Sequence, residues 1–161
     1  MTTDDLLFYH RVSQFLFLEA RLLDEQKWEE WNELFTEDGV YWAPASWEQP
    51  DPFHHVSLIF EDKLLRDVRI ARFKSPAAYS LQPFPRTSHM VSNIMIDNRE
   101  GDLVTVSSQF QMTEFRRDKP IRYNGAYTHE LSESDSGFKM RQKKAILVNC
   151  DGTHESSSVY F

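Results

Sequence analysis

The feature that most constrains this chain is a change of period halfway along it. From about residue 90 onward apolar and polar side chains alternate, the signature of half-buried strands. Across residues 103–115 Val104, Val106, Phe110 and Met112 share one face, while Thr105, Ser107, Gln109, Gln111 and Thr113 share the other. A similar strand is expected over residues 90–96, joined by a hairpin connection at residues 98–102. A third places Ile121, Tyr123, Tyr127, His129 and Leu131 on one face, after a turn at residues 117–120. A polar loop at residues 132–137 leads into a fourth, over residues 138–149, and residues 154–161 are expected to add a short edge strand.

The first part of the chain has the other period. Phe8, Val12, Phe15 and Leu22 recur at helical spacing, flanked by Leu16 and Leu23, behind an expected N-cap at Thr3 with Asp4 and Asp5 in the first turn. Glu19 falls inside that apolar stripe. A second short helix is read from Trp28, Trp31, Leu34 and Phe35, ending near residues 36–39 with Gly39 in the left-handed C-terminal position. Val40, Tyr41 and Trp42 form a short strand ended by Pro44, and residues 44–55 read as loop. Leu58, Ile59 and Phe60 form a strand or the lead-in to a third helix. That helix carries Leu64, Leu65, Val68 and Ala71 inward, with Lys63, Arg66, Asp67, Arg69 and Arg72 mostly outside. Residues 74–88 read as a long loop. Helices followed by an antiparallel meander specify an α+β fold, read as one domain over residues 1–161, with the helices packed in a strongly curved sheet that leaves a conical interior.

Charge and cysteine exclude several functions. With 18 Lys and Arg against 25 Asp and Glu, the net charge of −7 argues against a nucleic-acid partner. One cysteine, Cys150, rules out an internal disulfide framework and reads as an inert buried thiol. The acidic start lacks the basic region of a signal peptide, and no uncharged run nears the ~20 residues of a membrane span, so a cytoplasmic protein without membrane contact is expected. No glycine-rich nucleotide fingerprint occurs. His54 and His55 are adjacent and would point to opposite sides of an extended segment, and no histidine pair has helical i+4 spacing.

Four stretches in order, residues 15–24 (FLFLEARLLD), 28–42 (WEEWNELFTEDGVYW), 57–72 (SLIFEDKLLRDVRIAR) and 85–93 (PRTSHMVSN), resemble the small (β) subunit of Rieske non-haem iron aromatic-ring-hydroxylating dioxygenases. The benzoate and anthranilate branch is most similar. The resemblance implies a nuclear-transport-factor-2-like or ketosteroid-isomerase-like cone and a non-catalytic, structural role in aromatic catabolism. It implies a catalytic α subunit as partner, carrying the Rieske 2Fe-2S cluster and the mononuclear iron, in an α3β3 assembly whose β chains also associate as a trimer. The complex would be an oxidoreductase using O2 and NAD(P)H-derived electrons. The composition agrees: a Rieske centre needs two cysteines and two histidines on its irons, and this chain has a single cysteine.

The candidate residues each carry two readings. Glu19 is a cavity general base, or one half of a buried pair with an arginine that ties helix to sheet; the second is expected. Asp38, Tyr41 and His89 are the types a stand-alone cone isomerase or dehydratase would use, against a structural role for each. His129 faces either the cone or the outside. Arg86 is an interface anchor or an ordinary loop arginine. Trp42, Trp47, Phe53, Phe73, Tyr79 and Phe84 sit in loop-like segments or at a strand end, where they either meet other subunits or close the mouth of the cone. Lys139, Arg141, Lys143 and Lys144 are expected to solvate one face of the last strand.

Overall fold

A computed structural model describes residues 2–154, 157 and 159–161. Helix α1 spans Thr3–Asp24 and α2 Trp28–Asn32; strands β1 (Phe35–Pro44) and β2 (Ser57–Glu61) precede helix α3 (Lys63–Lys74). A 3-10 turn at Tyr79–Leu81 follows, then β3 (Arg86–Glu100), β4 (Leu103–Arg116), β5 (Lys119–Ser134) and β6 (Gly137–Leu147). The strands form one sheet in the order β2-β1-β6-β5-β4-β3. The long strands make the expected antiparallel meander, and β1 runs parallel to β6. The fold is α+β, with helices against a mixed sheet. Bulges between Ser92 and Met95, between Ile96 and Asn98, and at Arg141 bend and twist it.

The core forms where the α1 stripe meets the inward face of the meander. Phe8 and Phe15 both pack edge-on against Phe138, with ring centroids 5.9 Å apart in each case. Val104, Val106, Phe110, Met112, Tyr123, Tyr127, His129 and Leu131 are all buried, as their alternation requires. Gly125 belongs to the same face because nothing larger fits: a Cβ there would lie 2.1 Å from the Ile146 carbonyl oxygen and 2.8 Å from the Phe110 ring.

Several local expectations are corrected. The N-cap is Thr2, one residue earlier than expected. Its hydroxyl accepts the Asp5 N–H at 3.1 Å while the Asp5 carboxylate accepts the Thr2 N–H at 2.7 Å, a reciprocal pair that a cap at Thr3 would forfeit. Helix α2 ends at Asn32, and residues 36–39 are strand. Pairing with β6 captures the chain at Phe35, opposite Met140, and Gly39 serves close approach instead of a left-handed cap. Strand β3 begins at Arg86, shortening the expected loop. Residues 154, 157 and 159–161 form no edge strand, and the rest of that segment lies outside the described residues.

Helix α3 is turned over relative to its hydrophobic pattern. Arg66, Ile70 and Phe73 point inward, whereas Leu64, Leu65 and Val68 are exposed. Arg66 is fully buried, and its donors are met by three acceptors. Its guanidinium donates to Asn32 Oδ1 (2.7 Å), the Gly39 carbonyl (2.7 Å) and the Glu61 carbonyl (3.2 Å), and lies 3.9 Å from the Phe35 ring centroid. A leucine at that place would strand those oxygens.

Candidate functional site

The polar groups that the fold gathers inside its core come from α1, α2, β1, β5 and β6. Glu19, fixed on the buried side of α1, accepts from Lys143 Nζ at 2.6 Å and from Trp31 Nε1 at 2.7 Å. His129 Nε2 lies 4.0 Å from the second carboxylate oxygen. Burial pushes the Glu19 carboxyl up, but the Lys143 ammonium, with His129, outweighs it and holds the group below the usual carboxylate range. Burial likewise pushes Lys143 down, opposed by Glu19. His129 is driven down to about 4, chiefly by burial, and is neutral near pH 7.

The expected partner of Glu19 was an arginine; it is Lys143, a residue expected to face solvent. The reason is the bulge in β6. His129 pairs with Lys143 and Glu130 with Gln142, but Leu131 pairs with Met140, so Arg141 is an extra residue that reverses the parity of the strand. Phe138 and Met140 face in on one side of it, and Lys143, Ala145 and Leu147 face in on the other. Reading the alternation backwards from Leu147 and Ala145 would have found Lys143. His129 faces the interior.

Residues 159–161 close the interior. The Phe161 backbone oxygen accepts from Lys143 Nζ (2.9 Å) and Tyr41 Oη (3.3 Å), and its N–H donates to Tyr41 Oη at 3.0 Å. Tyr160 lies on Trp31, with centroids 4.4 Å apart, and donates its hydroxyl to Glu61 Oε2 at 2.7 Å. Burial, more than any neighbour, raises both the Tyr41 and Tyr160 phenols well above their ordinary range.

A second polar cluster sits where α1 ends. Asp24 accepts from His89 Nδ1 (2.6 Å), the His89 N–H (2.9 Å) and Thr87 Oγ1 (2.9 Å). Burial pushes this carboxyl up, yet the bonds from His89 leave it below its ordinary range. His89 Nε2 has no hydrogen-bond partner and lines a void of about 10 Å³ under Trp28, Phe84 and Tyr160, room for one water at most.

The acid–base set Asp38, Tyr41 and His89 is dispersed. Asp38 is exposed on β1 and accepts from Thr36 Oγ1 at 2.9 Å, Tyr41 is engaged by Phe161, and His89 by Asp24. Trp42 is buried, donates to Ser57 Oγ at 3.0 Å and carries Lys144 Nζ 4.4 Å over its ring. Arg86 is exposed at the start of β3, 5.1 Å over Phe115. Of the loop-segment aromatics, Phe73 is buried, Phe84 partly so, and Trp47, Phe53 and Tyr79 are exposed. Cys150 is buried. Among the described residues no three His, Cys, Asp or Glu side chains converge as a metal site, and no helix is long and apolar enough to cross a membrane.

The family model for ring hydroxylating β subunits matches residues 18–151. The chain is 33% identical over 158 residues to the small subunit of 2-halobenzoate 1,2-dioxygenase from Burkholderia cepacia, covering 94% of each. It is 30% identical to the β subunit of benzoate 1,2-dioxygenase from Acinetobacter baylyi, covering 90% of this chain and 89% of that one. The crystal structure of the benzoate 1,2-dioxygenase β subunit from Burkholderia mallei superposes with a TM-score of 0.73 at 28% identity, over 86% of this chain and 89% of that one. A putative scytalone dehydratase from Novosphingobium aromaticivorans shares the fold, with a TM-score of 0.69 at 20% identity over 92% and 89% of the two chains. The chain belongs to the family of ring hydroxylating β subunits, the small chains of multicomponent aromatic-ring dioxygenases.

Proposed function

We propose that this β subunit braces the catalytic α subunits of a dioxygenase acting on a benzoate-type aromatic acid, in an α3β3 assembly in the cytoplasm, and contributes no catalytic side chain of its own. The observation that carries the reading is a conical interior filled by the chain's own side chains. Phe161, Tyr160 and the Glu19–Lys143 pair occupy the space where an enzyme of this fold would hold its substrate. The benzoate-type substrate is supported by the names of the halobenzoate and benzoate relatives. The Rieske cluster and mononuclear iron belong, in this reading, to the α subunit. A cluster with two thiolate ligands does not fit a chain whose one cysteine is buried.

The exposed apolar side chains support a scaffold. Phe53 and Tyr79 are 78% and 81% exposed, and Leu64 and Val68 stand out from α3. Aromatic and aliphatic side chains of this size are of the kind that interfaces with other chains enclose. Co-expression with the α subunit, followed by size exclusion and mass determination, tests the reading. A stable hetero-oligomer that carries iron and oxidises the aromatic acid, beside a β chain that alone binds no iron, is expected. Failure of the two chains to co-elute, or turnover by the β chain alone, overturns it.

A further inference from the structure

We infer that copies of this chain join head to tail, the basic tip of the β4–β5 hairpin of one copy seating in the acid-rimmed groove that α1, α2 and α3 form on the next. The contact is between β chains alone, so it stands or falls separately from the α partner.

The hairpin carries positive charge on a chain whose net charge is −7. Arg116, Arg117 and Arg122 stand at and beside its tip, with Arg86 on the adjoining end of β3. Among the described residues none of these four pairs with a carboxylate. Arg116 donates to the Ser80 and Gln82 carbonyls, and Arg117 donates to the Gln82 carbonyl at 3.2 Å. Those acceptors are neutral, so the two guanidiniums are held in place with their charge uncompensated. Arg117 also sits at φ 53°, in a turn position that suits glycine or asparagine better. A charged side chain kept there against the preference of the backbone points to a use outside the hairpin.

The groove offers the complement. It encloses about 1060 Å³, more than a small-molecule site needs, over a floor that includes Leu18, Phe35 and Ile70. On its rim Glu29 is engaged by Lys74 and Asp67 by Lys63. Glu30, Glu33 and Glu37 are exposed there and, among the described residues, engage no hydrogen bond or ion pair, against one such cation, Lys139. Opposed potentials of this kind select and orient partners. The hairpin tip and the groove lie toward opposite ends of the sheet. Arg116 pairs with Lys119 where β5 begins, whereas Lys139 of the groove pairs with Ser132 near its end, about 40 Å along the strand. A hairpin cannot reach its own groove across that distance, so the two charges meet only between copies. Each copy then uses two different patches, which makes the contact heterologous.

The test follows the full chain by sedimentation velocity and light scattering as salt is raised from about 50 to about 500 mM. The unaltered chain should associate at low salt and lose about tenfold in affinity as the charges are screened. Arg117→Glu with Arg122→Glu, and separately Glu30→Lys with Glu33→Lys, should each weaken association by about tenfold or more. All four side chains are exposed, so circular dichroism of both variants should match that of the unaltered chain. Mixing the two variants should restore association, because the intact hairpin of one meets the intact groove of the other and the reversed pair is complementary too. A chain that stays monomeric at low salt, association indifferent to salt, variants that associate as before, or a mixture that stays monomeric overturns the inference. Groove variants that lose an α subunit while they keep self-association assign the groove to that partner, and overturn it as well.

Discussion

Glu19 shows how one residue out of pattern organises a core. Its carboxylate lies within a helix face of Phe, Val and Leu and is tolerated because Lys143 and Trp31 supply two short hydrogen bonds. Breaking such a pair costs more than never having made it, since the remaining charge stays buried. Lys143→Met should therefore lower stability by about 3–5 kcal/mol in urea or thermal melts. Adding Glu19→Gln should return part of that loss, and a double variant as unstable as the sum of the singles would contradict the pairing. His129 sets a pH dependence of defined sign. Its folded-state value of about 4 lies below the ordinary imidazole value of 6.5, so between those values the unfolded chain binds a proton that the folded chain does not. Stability should fall as the pH drops from 6.5 to 4, by up to roughly 3 kcal/mol from this group. The carboxyls of Glu19 and Asp24, both held below their ordinary range, extend the loss to still lower pH. Urea midpoints at stepped pH should show that slope, and His129→Gln should flatten it above pH 4.

At the scale of elements, α3 and β6 both depart from simple amphipathic patterning, and each departure has a polar cause. Helix α3 presents Arg66 inward, where its guanidinium donates to the carbonyls of Gly39 and Glu61. Arg66→Met is expected to cost about 2–4 kcal/mol, while Val68→Ser on the exposed face should change the isolated chain by no more than about 0.5 kcal/mol. The opposite ranking in denaturant titrations would show that the hydrophobic side of α3, and not Arg66, anchors it. Strand β6 spends one residue, Arg141, to turn Lys143 inward. Where β5 and β6 meet they approach so closely at Gly125 that Gly125→Ala has to move the Ile146 carbonyl. Loss of a few kcal/mol, of the order of other overpacked core sites, is the expected result in the same titrations.

For the molecule as a whole, one apolar cluster runs from Phe8 on α1 through β4, β5 and β6 to Tyr160 and Phe161. Among the described residues no helix and no hairpin has a core of its own. The chain should accordingly unfold in one cooperative step, with a urea slope of about 2 kcal/mol per molar. Coincident circular-dichroism and fluorescence transitions are the check, and two separated transitions would divide residues 1–161 into independent units. The same continuity places the exposed aromatic and aliphatic residues of the 47–56 loop, α3 and Tyr79 on a finished surface, available to neighbouring subunits without disturbing the interior.

What the sequence determined by itself is what periodicity and composition encode. The helical stripe of α1, the alternation of β4 and β5, the burial of Glu19 and the want of thiolates for an iron–sulfur cluster all follow from which residues recur and at what spacing. So does the family, since four motifs stand in order between residues 15 and 93. The tertiary structure alone decided the rest, because each remaining feature depends on partners distant in sequence. Gly39 became strand when Phe35 and Val40, on either side of it, paired with β6. Arg66 went inward to reach carbonyls on β1 and β2. Lys143 was turned by a bulge that alternation reveals only when read from the far end of the strand. Residues 159–161, expected to extend the sheet, entered the cone instead, because Lys143 and Tyr41 offered Phe161 hydrogen bonds inside an apolar interior. Local pattern records which side chains must leave water. It does not record which buried acceptor, a hundred residues away, a charged side chain must satisfy.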